Sequence, residues 1–182
     1  LSGFVITRIL INSFESPTFF KSFYIRRSLR IFPLYYAALC LYFLYPWITG
    51  AAESVFQHAK EKSYFLFYFQ NIARTFDWIP SDPKSLYGPM HYWSLAVEEH
   101  FYLFWPAVVY FCMKKSVTTL IRVSLFFYVG THILRWYMSS KGLEINVFTF
   151  TRLDQLILGA LMAVLELKSG LKPANNAYFI CT

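Results

Sequence analysis

His91 to Pro106 reads HYWSLAVEEHFYLFWP. The stretch is apolar and aromatic enough for the interior of a lipid bilayer, yet Glu98 and Glu99 stand side by side in its middle. An ionisable group at membrane depth costs at least about 2.5–3.5 kcal/mol on insertion scales, so it normally faces a bundle interior or a wet cavity. As a helix over 92–113, the segment lines up His91, Ser94 and Glu98 on one stripe, which Tyr102 and Trp105 extend. Glu99 is turned about 100° away, toward Leu95 and Leu103. The two acids therefore serve different neighbours, and Glu98, with polar company, reads as the functional one and Glu99 as the structural one. The plainer alternative for either is to neutralise a buried arginine and fix helix packing.

The rest of the chain agrees with a membrane setting. Its 182 residues suffice for one domain, and 57% are hydrophobic, 21% aromatic and only 15% charged, against about 25% charged in soluble domains. The composition predicts an all-α, polytopic transmembrane helix bundle. The net charge of +7 is scattered rather than gathered in one patch, which argues against nucleic acid as a partner and for cytoplasmic loops. Cys40, Cys112 and Cys181 lie in apolar runs without a CxxC pair and read as buried free thiols. The histidines, His58, His91, His100 and His132, form no HExxH, and no metal site is expected.

Residues 1–14 read as the tail of a helix, and 15–30 as a polar connection ending in RRSLR. The run over 31–49 has no charge and spans roughly 28 Å as a helix, with Pro33 in its first turn. The short run 63–73 sits between loops at 50–62 and 74–90, and whether it crosses the membrane stays open. Helices over 92–113 and 118–138 are long enough to span, with Arg122 and Arg135 near the ends of the second to snorkel. Thr151 and Asp154 fit a capping-box pattern, which starts a shorter helix over 152–167 near Arg152. The chain begins in LSGFVIT and stops in the apolar YFICT, so it reads as the interior of a longer protein, a single partial domain over 1–182 truncated at both ends.

Two further groups could carry chemistry. In IRRSLRIFP, a helix would gather Arg26, Arg27 and Arg30 toward one side, and guanidinium forks suit phosphate oxygens. Plain positive-inside anchoring explains them too. In TRLDQLILGALMA, Arg152 and Asp154 point in different directions on a helix. Binding a substrate and making an inter-helix ion pair are both open to them. Gly159 and Ala163 form a small-xxx-small pair that favours close helix packing.

Taken together, LSGFVIT, FYIRRSLRIFPLYY, HYWSLAVEEHFYLFWP and RLDQLILGALMA resemble the acyltransferase-3 family of integral membrane acyltransferases, in order and spacing across nearly the whole chain. WSLAVEEHFYL is similar to that family's WSL-x-x-E-x-x-F-Y pattern, with His100 where Gln is common, and its RxxR element falls on Arg27 and Arg30. The resemblance implies about ten transmembrane helices in the bacterial inner membrane. It also implies an acyl-CoA donor, with no further cofactor, and a hydroxyl acceptor on a surface carbohydrate such as lipopolysaccharide O-antigen. It makes Glu98 a supporting catalytic residue and Arg27 and Arg30, with Arg26, the holders of the donor phosphates. Ser94, Arg152 and Asp154 become further substrate-binding candidates. The family's catalytic histidine, in an Arg-x10-His motif, is expected before Leu1. A transporter that uses Glu98, Glu99 and Asp154 to carry ions or protons is the reading from a different class.

Overall fold

The computed structural model describes residues 1–49, 59–78 and 92–169. Among these residues the chain is helical throughout, without a strand: α1 (Ser2–Asn12), α2 (Phe19–Thr49), α3 (Ala59–Leu66), α4 (Gln70–Thr75), α5 (Trp93–Met113), α6 (Val117–Ser140) and α7 (Thr149–Lys168). His58, His91, Cys181 and most of the loops read over 50–62 and 74–90 lie outside the described residues. By length and composition, α6 is the one described helix that qualifies to cross a membrane. It starts where Ser116 accepts a hydrogen bond from the Thr119 N–H at 3.1 Å. Ser124 and Thr131 turn their hydroxyls onto the carbonyls of Leu120 and Phe127 in the same helix, so its buried polar groups need no outside partner.

The register of the helices follows from a few long-range contacts. Ser2 meets Glu98, Thr7 meets Trp105 and Phe14 meets Tyr110, so α1 runs parallel to α5. Phe19 and Phe20 pack on Tyr110, Tyr24 donates to the Leu103 carbonyl and Tyr35 lies by Tyr92, so α2 runs antiparallel to α5. One end of the bundle thus collects the start of α2 and the end of α5, and with them Lys21, Lys114 and Lys115. The core between α1, α5, α6 and α7 is built on Trp105 and Phe101, stacked at 4.9 Å and both fully buried, with Ile6, Leu10, Leu120 and Ile157 around them. Where α1 meets α7 the backbones touch. A Cβ on Gly3 would lie 1.9 Å from the Leu156 carbonyl oxygen, and one on Gly159 would lie 2.8 Å from the Phe4 nitrogen. Gly159 of the small-residue pair therefore packs on Gly3 and Phe4 of α1, with Ala163 buried one turn on.

The structure corrects several sequence expectations. The stretch read as a connection over 15–30 is helical from Phe19, because Phe19 and Phe23 bury into the core ahead of the arginines. Pro33 consequently lies deep inside α2, where it removes the N–H that would reach the Leu29 carbonyl. The run 63–73 is two short helices, α3 and α4, separated by a break at 67–69. At about 1.5 Å per residue neither can span a bilayer. The capping box does not form. The helix begins at Thr149 behind Phe148, and Thr151 instead donates to the carbonyls of Ile145 and Phe148. Arg135 does not snorkel outward but turns in to Asp154, and Cys40 is exposed rather than buried.

Candidate functional site

Glu98 sits on α5 at the seam with α1 and α2. Its Oε1 accepts from the Ser2 hydroxyl at 3.0 Å and its Oε2 from the Tyr102 hydroxyl at 2.7 Å. A carboxylate oxygen has room for a second hydrogen bond, so both can still accept from a further donor. Tyr102 is buried at 5% exposure, and the Arg27 guanidinium lies over its ring at 5.3 Å and over Phe23 at 6.0 Å. The charges of Glu98, Glu99 and Arg30 all act on Arg27. Tyr102 precedes Tyr110 by two turns of α5, so Arg27 reaches roughly 12 Å inward from the basic end of the bundle.

The other sequence candidates divide. Arg30, exposed on α2, shares the side of Arg27. Arg26 does not. Its Nε donates to the Ser22 carbonyl at 3.1 Å on an exposed face. Ser94 is exposed in the first turn of α5. Asp154 pairs with Arg135 at 3.0 Å, the inter-helix ion pair, though with a partner from α6. Arg152 donates to the Asn146 carbonyl and lies over the Trp93 ring at 5.6 Å. The structure therefore gathers Arg27, Arg30 and Glu98 and leaves Arg26, Arg152 and Asp154 to other contacts. Among the described residues no group of three or more His, Cys, Asp or Glu gathers to hold a metal ion.

Around the other acid the structure adds polar neighbours to Leu95 and Leu103, the side chains toward which helical spacing turns Glu99. Its charge acts on Tyr36 and Tyr68, and its buried Oε1 makes no hydrogen bond among the described residues. Beside it, His100 Nδ1 shares a hydrogen bond of 2.8 Å with the fully buried Thr149 hydroxyl, which Asn71 also reaches. Ser2, Tyr36, Tyr68, Asn71 and Thr149 were absent from the sequence reading of the site. Gln70 and Asn71, adjacent inside an eleven-residue apolar run, are the signal that could have drawn attention to α4.

Comparison with known proteins places these residues in context. The chain is 28% identical over 173 residues to O-acetyltransferase OatA of Staphylococcus aureus (strain NCTC 8325 / PS 47), an alignment covering 90% of this chain and 28% of that protein. It is 26% identical over 182 residues to the putative O-acetyltransferase SACOL0978 of Staphylococcus aureus (strain COL), which covers 91% of this chain and 28% of that protein. The chain thus spans 28% of the length of these curated relatives. No family profile and no solved structure matches it.

Proposed function

We propose that the chain is part of a membrane-embedded O-acyltransferase that moves an acetyl group from acyl-CoA to a hydroxyl of a cell-surface carbohydrate. The observation that carries this reading is the likeness of 90% of the chain to a protein named O-acetyltransferase. The large apolar side chains left exposed on several helices, among them Leu34, Leu41, Leu103, Phe126, Ile133 and Met162, support a lipid-facing, polytopic bundle. The inner membrane of a bacterium is the location that suits both points.

In this reading Arg27 and Arg30 hold the phosphates of coenzyme A, and Ser94, exposed in the first turn of α5, is a further substrate contact. The acceptor hydroxyl oxygen attacks the thioester carbon, the C–O bond forms and the C–S bond breaks. The hydroxyl proton passes to a base and then to the departing thiolate. The family resemblance supplies a histidine for that base. Glu98, with both oxygens already oriented by Ser2 and Tyr102, is poised to orient it. Membranes holding the full-length protein are expected to move label from [acetyl-14C]acetyl-CoA into a carbohydrate fraction as a base-labile ester. Label that enters no carbohydrate, with thioester intact, would rule the reading out.

A further inference from the structure

The break between α3 and α4 holds a tyrosine where chains ordinarily place glycine. The Tyr68 N–H bonds to the Phe65 carbonyl and the Phe69 N–H to the Tyr64 carbonyl at 2.7 Å. These two bonds are the Schellman ending of a helix, whose residue in the position of Tyr68 takes a left-handed conformation and is usually glycine. Tyr68 adopts it at φ 61°. For a side chain with a Cβ this conformation is strained. Strain of this kind persists only where the surroundings enforce it.

The surroundings do enforce it. The Tyr68 ring stacks on Tyr35 at 4.2 Å and meets Phe32 and Tyr36. Tyr35 and Tyr36 in turn donate their hydroxyls to the carbonyls of Phe65 and Leu66, which ties α2 to the end of α3. All this apparatus presents one polar atom. The Tyr68 hydroxyl, on a residue only 7% exposed, has no hydrogen-bond partner among the described residues, and neither has Oε1 of Glu99, whose charge acts on it.

We propose that Tyr68 and Glu99 form the subsite for the reacting hydroxyl of the acceptor sugar. An alcohol is the group that completes both orphan atoms at once. Its O–H donates to the carboxylate of Glu99, and its oxygen accepts from the phenol of Tyr68. Phe32, exposed on α2 beside Tyr68, offers a ring to the apolar face of a sugar. Arg27 feels the charge of both carboxylates, so the proposed phosphate site and this subsite share the Glu98–Glu99 pair. This inference rests on the acyltransferase reading above and adds the acceptor site to it.

The test uses the full-length protein, acetyl-CoA and a panel of methyl glycosides of glucose, galactose and N-acetylglucosamine, with sugar-dependent CoA release as the readout. Tyr68→Phe removes one oxygen and is expected to raise the KM for the accepted glycoside about 10-fold, with the KM for acetyl-CoA unchanged. Glu99→Gln is expected to depress sugar-dependent turnover more than the slow hydrolysis of acetyl-CoA by water. A Tyr68→Phe protein with wild-type KM for the glycoside, or with both KM values raised alike, would overturn the subsite while leaving the acyltransferase reading intact. If the wild-type protein releases CoA with no glycoside of the panel, the acyltransferase reading itself fails and the subsite with it.

Discussion

Glu98→Gln is expected to reduce acetyl transfer per folded molecule by about 10²-fold or more, the scale of a positioned acid–base group. The substitution keeps the size of the side chain. The hydroxyls of Ser2 and Tyr102, at 3.0 and 2.7 Å, can each rotate to donate or accept, so the amide still fits at the seam of α1 and α5. What it removes is the negative charge beside Arg27, and with it the orienting role proposed for Glu98. The protein should therefore still accumulate in the membrane and purify in detergent. Full activity in Glu98→Gln would mean that this carboxylate only packs the α1–α5 seam.

Arg27→Ala has the second large effect. Hydrogen bonds to a charged partner contribute about 1.5–3 kcal/mol, so losing a phosphate contact is expected to raise the KM for acetyl-CoA by about 10- to 100-fold. Arg27 also covers the rings of Phe23 and Tyr102, and alanine uncovers both. Arg27→Lys separates these contributions. It restores the charge and part of the ring contact but not the planar fork, and should recover donor binding only partly. Arg30→Ala should act in the same direction. Arg26→Ala, whose parent side chain is bound to the Ser22 carbonyl on an exposed face, should leave the donor KM close to wild type. Wild-type donor saturation in both Arg27→Ala and Arg30→Ala would remove the phosphate site from the account.

How much of this was legible in the sequence depends on the distance over which each feature is determined. The helices over 93–113 and 117–140 follow from long apolar runs and were read to within about two residues. Arg27 and Arg30 share a side because they lie one helical turn apart, a local property. The stripe through Glu98 and Tyr102 is equally local, and the hydrogen bond between them was within reach of spacing alone. Ser2 on Glu98 was not, since 96 residues separate them. Nor was the partner in the inter-helix ion pair of Asp154, because Arg135 comes from the preceding helix and nothing in TRLD points to it.

The start of α2 was misplaced for a related reason. KSFYIRRSLR is polar on average, and only the burial of Phe19 and Phe23 against α5 reveals that its apolar side is wanted inside. The hardest feature was the break at Tyr68. SYFLFYFQNIA contains no glycine or proline, the residues that usually mark a helix end, so its left-handed turn has no sequence signature. That turn also sets Tyr68 where the Glu99 charge acts on it, a neighbour that the helical spacing of Leu95 and Leu103 does not reveal.

The central claim is that an acyl-CoA binds along the start of α2 with its thioester near Glu98. A photoreactive acetyl-CoA analogue tests it without relying on turnover. After irradiation of the full-length protein in membranes, digestion should find the label on the peptides carrying Arg27 and Arg30 and on the stretch of α5 from Glu98 to Tyr102, and excess acetyl-CoA should suppress it. Label that acetyl-CoA does not displace, or that falls on α6 and α7 and spares both of these stretches, would contradict the account.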